Sequence, residues 1–231
     1  MIAVKAPTVR GISVKRMPPS ARPKPLLRGV SHEIAFVVAT AGAIALVASA
    51  HGARATTAAA VYGASLAAMF GISTLYHRPT WGPTARRFMR RLDHATIYLF
   101  IAGTYTPVCL LALPHPWAVA LLWVAWGGAA LGIVQSILWV QAPRLVSAAG
   151  YVALGWAVTI ALPKLSAALG VSGLSLLLGG GLLYVAGAVI YALRRPDPAP
   201  KVFGYHEIFH ALVIAASACH FVLERRLLLA P

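Results

Sequence analysis

Two short segments of the sequence carry residue types and spacings that suit metal chemistry. The string HEIFH places His206 and His210 four positions apart, and STLYH does the same for Ser73 and His77. Residues four apart on an α-helix lie on one face, about 6 Å apart along the axis. Two imidazoles so placed can share a small cation, and a third from another helix would leave one coordination position open. That arrangement is typical of catalytic zinc, so we predict a zinc site.

The polar residues near these segments also have interpretations that involve no catalysis. Asp93 is either a carboxylate stabilised at a helix N-terminus, or paired with Arg90 or Arg91, or the general base that takes a proton from an attacking water. The Ser73 hydroxyl either bonds to a carbonyl of its own helix or donates to the developing oxyanion. His77 is either an interfacial residue or a ligand. The residues alone leave these alternatives open.

The composition is that of a membrane protein. Of 231 residues, 59% are hydrophobic and only 11% are charged, and the mean hydropathy is +0.76. A soluble domain carries about a quarter charged residues. The net charge of +15 does not indicate nucleic-acid binding, because the basic residues flank apolar segments and act as a topology signal.

We predict an all-α, polytopic bundle of seven transmembrane helices. Each apolar segment has close to the ~20 residues needed to cross a bilayer. The segments cover approximately residues 32–50, 56–77, 92–113, 117–140, 145–163, 173–193 and 205–224. Residues 1–28 are predicted to be a basic, disordered cytoplasmic tail, and residues 29–231 form the transmembrane domain.

The distribution of lysine and arginine predicts the orientation. With the N-terminus inside, 16 of the 20 basic residues lie on the cytoplasmic side and 4 lie outside, so the C-terminus is predicted to be outside. This count ignores acids and histidines, yet it brings the polar helix ends to one membrane depth: His32, Glu33, His77, Asp93, His206 and His210. We therefore predict a single site that opens to the cytoplasm. Asp197 and Glu224, in contrast, are predicted to be solvated.

Three other functional classes can be compared with this pattern: zinc metalloproteases, retinal proteins and haem proteins. HEIFH fits the H-E-x-x-H signature of zinc metalloproteases, in which the glutamate is the general base, although Glu207 could instead face headgroups or basic segments. A retinal protein is excluded because residues 205–224 contain no lysine for a Schiff base. Haem is disfavoured because ligands one turn apart on a single helix suit a small ion better than a porphyrin.

The assembled segments resemble a known family. STLYH, RLDHA around Asp93, IAGTYTP at residues 101–107, and HEIFH through His220 resemble the hemolysin III family, the bacterial branch of the progestin and adiponectin-Q receptor group. The resemblance covers approximately residues 29–224. It implies a seven-helix fold in the bacterial cell membrane, a cytoplasmic N-terminus and an intramembrane Zn²⁺ cofactor.

By the same resemblance, the zinc ligands are His77, His206 and His210, with Ser73 and Asp93 at the attacking water. Weaker supporting positions are assigned to His32, Glu33, His94 and Glu207. The start of the first helix departs from the family pattern, because it lacks the asparagine expected near Glu33.

Two functions remain open. Alkaline ceramidases have a similar five-residue arrangement and cleave lipid amides, which implies a zinc-dependent hydrolase that holds a lipid amide or a fatty acid in the bundle cavity. The alternative is a receptor, regulator or cytolytic membrane protein in which zinc is structural. With either function the protein would contact membrane lipids, with anionic headgroups against the basic inner loop at residues 78–91. It would bind no nucleic acid.

Overall fold

The computed structural model describes residues 24–229, and their regular structure is helical. The predicted all-α class is therefore confirmed, whereas the predicted disorder of residues 1–23 concerns a segment outside the described residues. The helices are α1 (Val30–Ser49), α2 (Gly52–His77), α3 (Pro83–Pro107), α4 (His115–Leu138), α5 (Arg144–Trp156), α6 (Leu162–Leu193) and α7 (Tyr205–Leu228).

Among the described residues, six helical stretches, not the predicted seven, are long and apolar enough to cross a membrane. The difference arises because α5, a 3₁₀ turn at Ala157–Ala161 and α6 follow one another without a loop, so that Arg144–Leu193 forms one stretch of 50 residues. Within it, Gly170 has φ 61° and ψ −177°, which is not helical. Only glycine adopts this conformation readily.

The structure differs from the sequence prediction at α3. This helix begins at Pro83, so most of the segment predicted as a basic inner loop is helical. Proline is favoured in the first turn because its missing N–H has no partner there and its φ is already helical. The change matters because Arg86 and Arg90 then lie one turn apart on one helix face.

A π-helical turn at Val108–Ala112 follows directly after Pro107. Proline has no N–H to donate and its ring clashes with the carbonyl four residues earlier, so a helix that contains it must adjust locally. The guanidinium of Arg54 on α2 donates to the backbone carbonyl of Leu110 in this turn. The turn therefore has a polar contact that links it to a neighbouring helix.

The start of α7 is fixed by Glu207 and by the segment that precedes α1. The Glu207 carboxylate accepts a hydrogen bond of 2.8 Å from the backbone N–H of Gly204 and pairs with the Arg28 guanidinium. The backbone N–H of Leu26 donates a hydrogen bond of 3.0 Å to the backbone carbonyl of Lys201. Residues 24–28, assigned to the tail from sequence, thus contact the loop between α6 and α7.

The exterior and interior of the bundle suit a lipid environment. On α1, Ile34, Val37 and Val38 are all more than 60% exposed, a contiguous apolar surface that a soluble protein rarely presents.

The prediction that Glu224 is solvated is wrong, because only 1% of the residue is exposed. The reason is that α7 continues to Leu228 and turns Glu224 toward α2 and the π-helical turn, where Tyr62 and Cys109 are its neighbours.

Candidate metal centre

Three imidazoles from two helices converge at one end of the bundle. His77 is the last residue of α2, and His206 and His210 lie in the first two turns of α7. Their available ligand atoms all lie within 4.8 Å of one another, and the Nε2 atoms of His77 and His206 are 3.2 Å apart. All three residues are at least nine-tenths buried.

The donor set fits a small cation with nitrogen ligands. In a tetrahedral zinc site, with Zn–N bonds of about 2.0–2.1 Å, ligand nitrogens lie about 3.3 Å apart, close to the His77–His206 separation of 3.2 Å. The buried Nδ1 of His210 has no hydrogen-bond partner among residues 24–229. Buried polar atoms are almost always satisfied, so an unpartnered imidazole nitrogen in this cluster fits a site that takes a cation. The group His77, His206 and His210 could therefore hold a metal ion.

Asp93 and Ser73 lie beside the imidazoles. An oxygen of the Asp93 carboxylate is 4.0 Å from Nε2 of His77, and the Ser73 hydroxyl is adjacent to the same carboxyl group. Ser73 also forms a hydrogen bond of 2.9 Å with Nδ1 of His32. The His32 ring is stacked on the His210 ring, with centroids 3.7 Å apart and planes at 11°. His32 therefore contacts both the hydroxyl and a predicted ligand.

The remaining predicted site residues divide into two groups. His94 lines the same cavity as the imidazoles, and its backbone carbonyl accepts a hydrogen bond of 3.4 Å from Tyr151. Glu33 lies outside the cluster in an exposed ion pair of 2.7 Å with Arg78. Glu207 is 2% exposed and is bonded to Arg28 and to the start of its own helix. The Glu207 carboxylate is thus turned away from the imidazoles of His206 and His210, which flank it in the sequence.

The imidazoles face a cavity of about 1090 Å³ that continues into the bundle. One stripe of α3 lines it with the spacing of a single helix face, three or four residues apart: Arg86, Arg90, Asp93, Ile97, Ile101 and Thr104. The stripe passes from basic side chains through a carboxylate to mainly apolar ones. A bound molecule would thus meet positive charge first, the polar cluster next and an apolar chamber last.

Seven basic side chains surround the open end of this cavity, and we call them the basic mouth. They are Lys24, Arg28, Arg86, Arg87, Arg90, Arg144 and Arg194. The sequence prediction assigned them to topology and to the bilayer surface, so it missed their common position. The signal that could have found those on α3 is the spacing of Arg86, Arg90 and Asp93 along one face, read together with Pro83 as a helix start.

Comparisons with known proteins give a consistent result. The sequence pattern of haemolysin-III-related proteins matches residues 20–221. The chain is 35% identical over 199 residues to Hemolysin-3 of Bacillus cereus, covering 85% of this chain and 88% of that protein. It is 36% identical over 161 residues to the Hemolysin-3 homolog of Bacillus subtilis (strain 168), covering 70% and 72%. It is 28% identical over 165 residues to the human Monocyte to macrophage differentiation factor, covering 70% and 66%. The family match contains all the residues of the histidine cluster.

Proposed function

We propose that this chain, which belongs to the haemolysin III family, is a zinc-dependent hydrolase of lipid amides with a ceramide-like linkage. Family membership and the apolar helices make it a multi-pass membrane protein of the bacterial kind, as predicted. The proposal is carried by one observation: three buried imidazoles and the Asp93 carboxylate face the same cavity, with 4.0 Å between Asp93 and His77.

The proposal includes seven spans with a cytoplasmic N-terminus. A straight helix of 50 residues would be about 75 Å long, more than twice the ~30 Å hydrocarbon core. Division of Arg144–Leu193 at Gly170 would give two spans and a total of seven. The basic residues then lie mainly on the inner side, as they do in most membrane proteins. With this orientation the basic mouth opens to the cytoplasm.

In this proposal, His77, His206 and His210 hold zinc. When bound by three protein ligands, zinc polarises a carbonyl and lowers the pKa of water to about 7. Asp93 takes the proton of the attacking water and can return it to the leaving amine. Ser73 donates to the developing oxyanion.

His32 controls the Ser73 hydroxyl in the proposed reaction. Its Nδ1 is 2.9 Å from the Ser73 oxygen. If His32 donates this hydrogen bond, the serine proton remains available to the neighbouring Asp93 carboxyl group or to the oxyanion, and if His32 accepts it, that proton is engaged. The proposed chemistry therefore needs the tautomer in which Nδ1 of His32 carries the hydrogen.

The cavity supports a lipid as the substrate. Its deep part is lined by apolar residues such as Ile97, Phe100 and Leu177, and such a surface binds acyl chains through the burial of apolar area. Other contacts in the proposal are bulk lipids around the bundle and anionic headgroups near Arg87, which is exposed at the start of α3. Such headgroups attract basic residues at a cytoplasmic surface.

A direct test is hydrolysis of short-chain ceramides by the purified full-length protein, with and without a zinc chelator. We expect chelator-sensitive turnover. Asp93→Asn should reduce the rate about 10²–10⁴-fold, the usual contribution of general acid–base catalysis. Glu207→Gln is the matched control, because its carboxylate is bonded to Arg28 and Gly204, and it should keep most of the activity.

Full activity of Asp93→Asn would remove the base role, and loss of activity in Glu207→Gln alone would favour the metalloprotease-like assignment. No turnover across a broad panel of lipid amides would favour a second function, a receptor, regulator or cytolytic protein with structural zinc. The names of the relatives support that alternative: one is called Hemolysin-3 and another a differentiation factor.

A further inference from the structure

The charge of the cavity entrance is unbalanced. Seven basic side chains and two carboxylates, Asp93 and Asp197, line the cavity. Among residues 24–229, only Arg28 of the basic mouth has a carboxylate within 4.0 Å, and that partner is Glu207. Like charges that face one another across a cavity repel, and the repulsion increases as water is excluded. The site would be stabilised by an anion that binds between them.

One of these cations is held in a defined position by its contacts, and a second lines the same cavity. One nitrogen of the Arg144 guanidinium donates to the Tyr205 hydroxyl at 3.2 Å, and the guanidinium lies 5.2 Å from the centre of the Tyr191 ring. Arg90 on α3 is close enough to interact electrostatically with Tyr191 and with Asp93. Both arginines are half-buried. They therefore approach the same space from α3 and α5, while parts of both guanidinium groups remain free to donate.

The order of side chains along α3 relates this space to the metal centre. Arg90 precedes Asp93 by three residues, about 4.5 Å along the helix axis, and Ile101 follows Asp93 by eight residues, about 12 Å. A headgroup bound at Arg90 would thus place a linkage one helix turn away at Asp93 and His77. The attached chain would continue along the apolar part of the same stripe.

We propose that Arg90 and Arg144 form a subsite for a phosphate group, so that the preferred lipid amide carries a phosphate on its headgroup. That the bound lipid is an amide rests on the proposed function, whereas the phosphate subsite is argued independently of it. Guanidinium groups suit phosphate because their planar N–H donors match its oxygens and form charge-assisted hydrogen bonds. A neutral ceramide would bring no anion to either guanidinium group.

The test compares two probes that differ only in the phosphate: a short-chain ceramide 1-phosphate and the same ceramide. Their affinities for the full-length protein in a neutral detergent are measured by native mass spectrometry. We expect wild type to bind the phosphorylated lipid at least about tenfold more tightly, the low end for one charge-assisted hydrogen bond. Arg90→Gln with Arg144→Gln should abolish that preference and leave ceramide binding unchanged.

The matched control is Arg225→Gln with Arg226→Gln, which removes the same charge from exposed positions at the far end of α7. It should keep the preference. Equal binding of the two lipids by wild type, or equal loss of preference in the control, would overturn the subsite. Competition by inorganic phosphate would show that a free anion suffices, and its absence would assign the subsite to a lipid headgroup. Because the readout is binding, absence of hydrolysis would not affect this result.

Discussion

At one end of α7, His206 and His210 face a cavity and other polar side chains, whereas at the other end Glu224 is enclosed by protein. Both ends bury polar groups, since His210 and Glu224 are each 1% exposed. The histidines have a space in front of them and partners on two other helices. Glu224 does not line the cavity, and its Oε2 atom has no hydrogen-bond partner among residues 24–229.

This difference shows that burial of a polar residue does not by itself identify a site. An unsatisfied buried group costs about 1–3 kcal/mol, and that cost applies at both ends. Only at the His206 end do several donors converge on a volume that a ligand can enter. The Tyr62 hydroxyl beside Glu224 also has no partner within the described part of the chain. We therefore assign function to the His206 end and expect the Glu224 end to affect stability alone.

The largest expected effect is on metal content. His206→Ala should lower the zinc bound per chain at least about tenfold, because loss of one of three protein ligands weakens the site more than the 10–100-fold typical of an outer partner. Elemental analysis of the purified proteins measures this, and His115→Ala is the matched control because His115 is exposed. Unchanged zinc in His206→Ala, or a wild type without zinc in zinc-replete medium, would contradict the candidate centre.

A smaller effect is expected at the Glu224 end, where a substitution should stabilise the protein. Glu224→Met keeps a similar volume and removes a buried carboxyl group, so the free energy of unfolding should rise, by up to about 1–3 kcal/mol. Zinc content and hydrolysis should not change. Thermal unfolding in detergent measures the stability, and Tyr62→Phe should shift it in the same direction. If either variant lost zinc or activity, the contrast between the two ends would no longer hold.

The smallest expected effect is at Glu33, whose ion pair with Arg78 is about half exposed. Exposed ion pairs contribute about 0–1 kcal/mol, so Glu33→Gln should change stability by less than about 0.5 kcal/mol and leave zinc content unchanged. A double-mutant cycle with Arg78→Gln isolates the pair. A clear loss of zinc in Glu33→Gln would restore the supporting role that the sequence prediction gave this residue.

The sequence predicted well those features that depend on interactions within a single helix. The ends of α1, α2 and α4 lie within a few residues of the predicted apolar segments. The topology count also placed His77 and His206 at one membrane depth, and the structure brings their side chains together. The start of α3 was missed because its first two turns are basic, and hydropathy does not detect a polar helix that extends beyond an apolar span.

By itself, the sequence determined that the chain is helical and membrane-spanning, because apolar length and the four-residue spacing of the histidines are properties of single segments. The tertiary structure decided what those segments surround. It turned Glu207 away from the imidazoles toward Arg28, a partner 179 residues away, buried Glu224, and brought Arg90 to the entrance that Arg144 also lines. Such pairings depend on how helices pack against one another, and no periodicity within one helix encodes them.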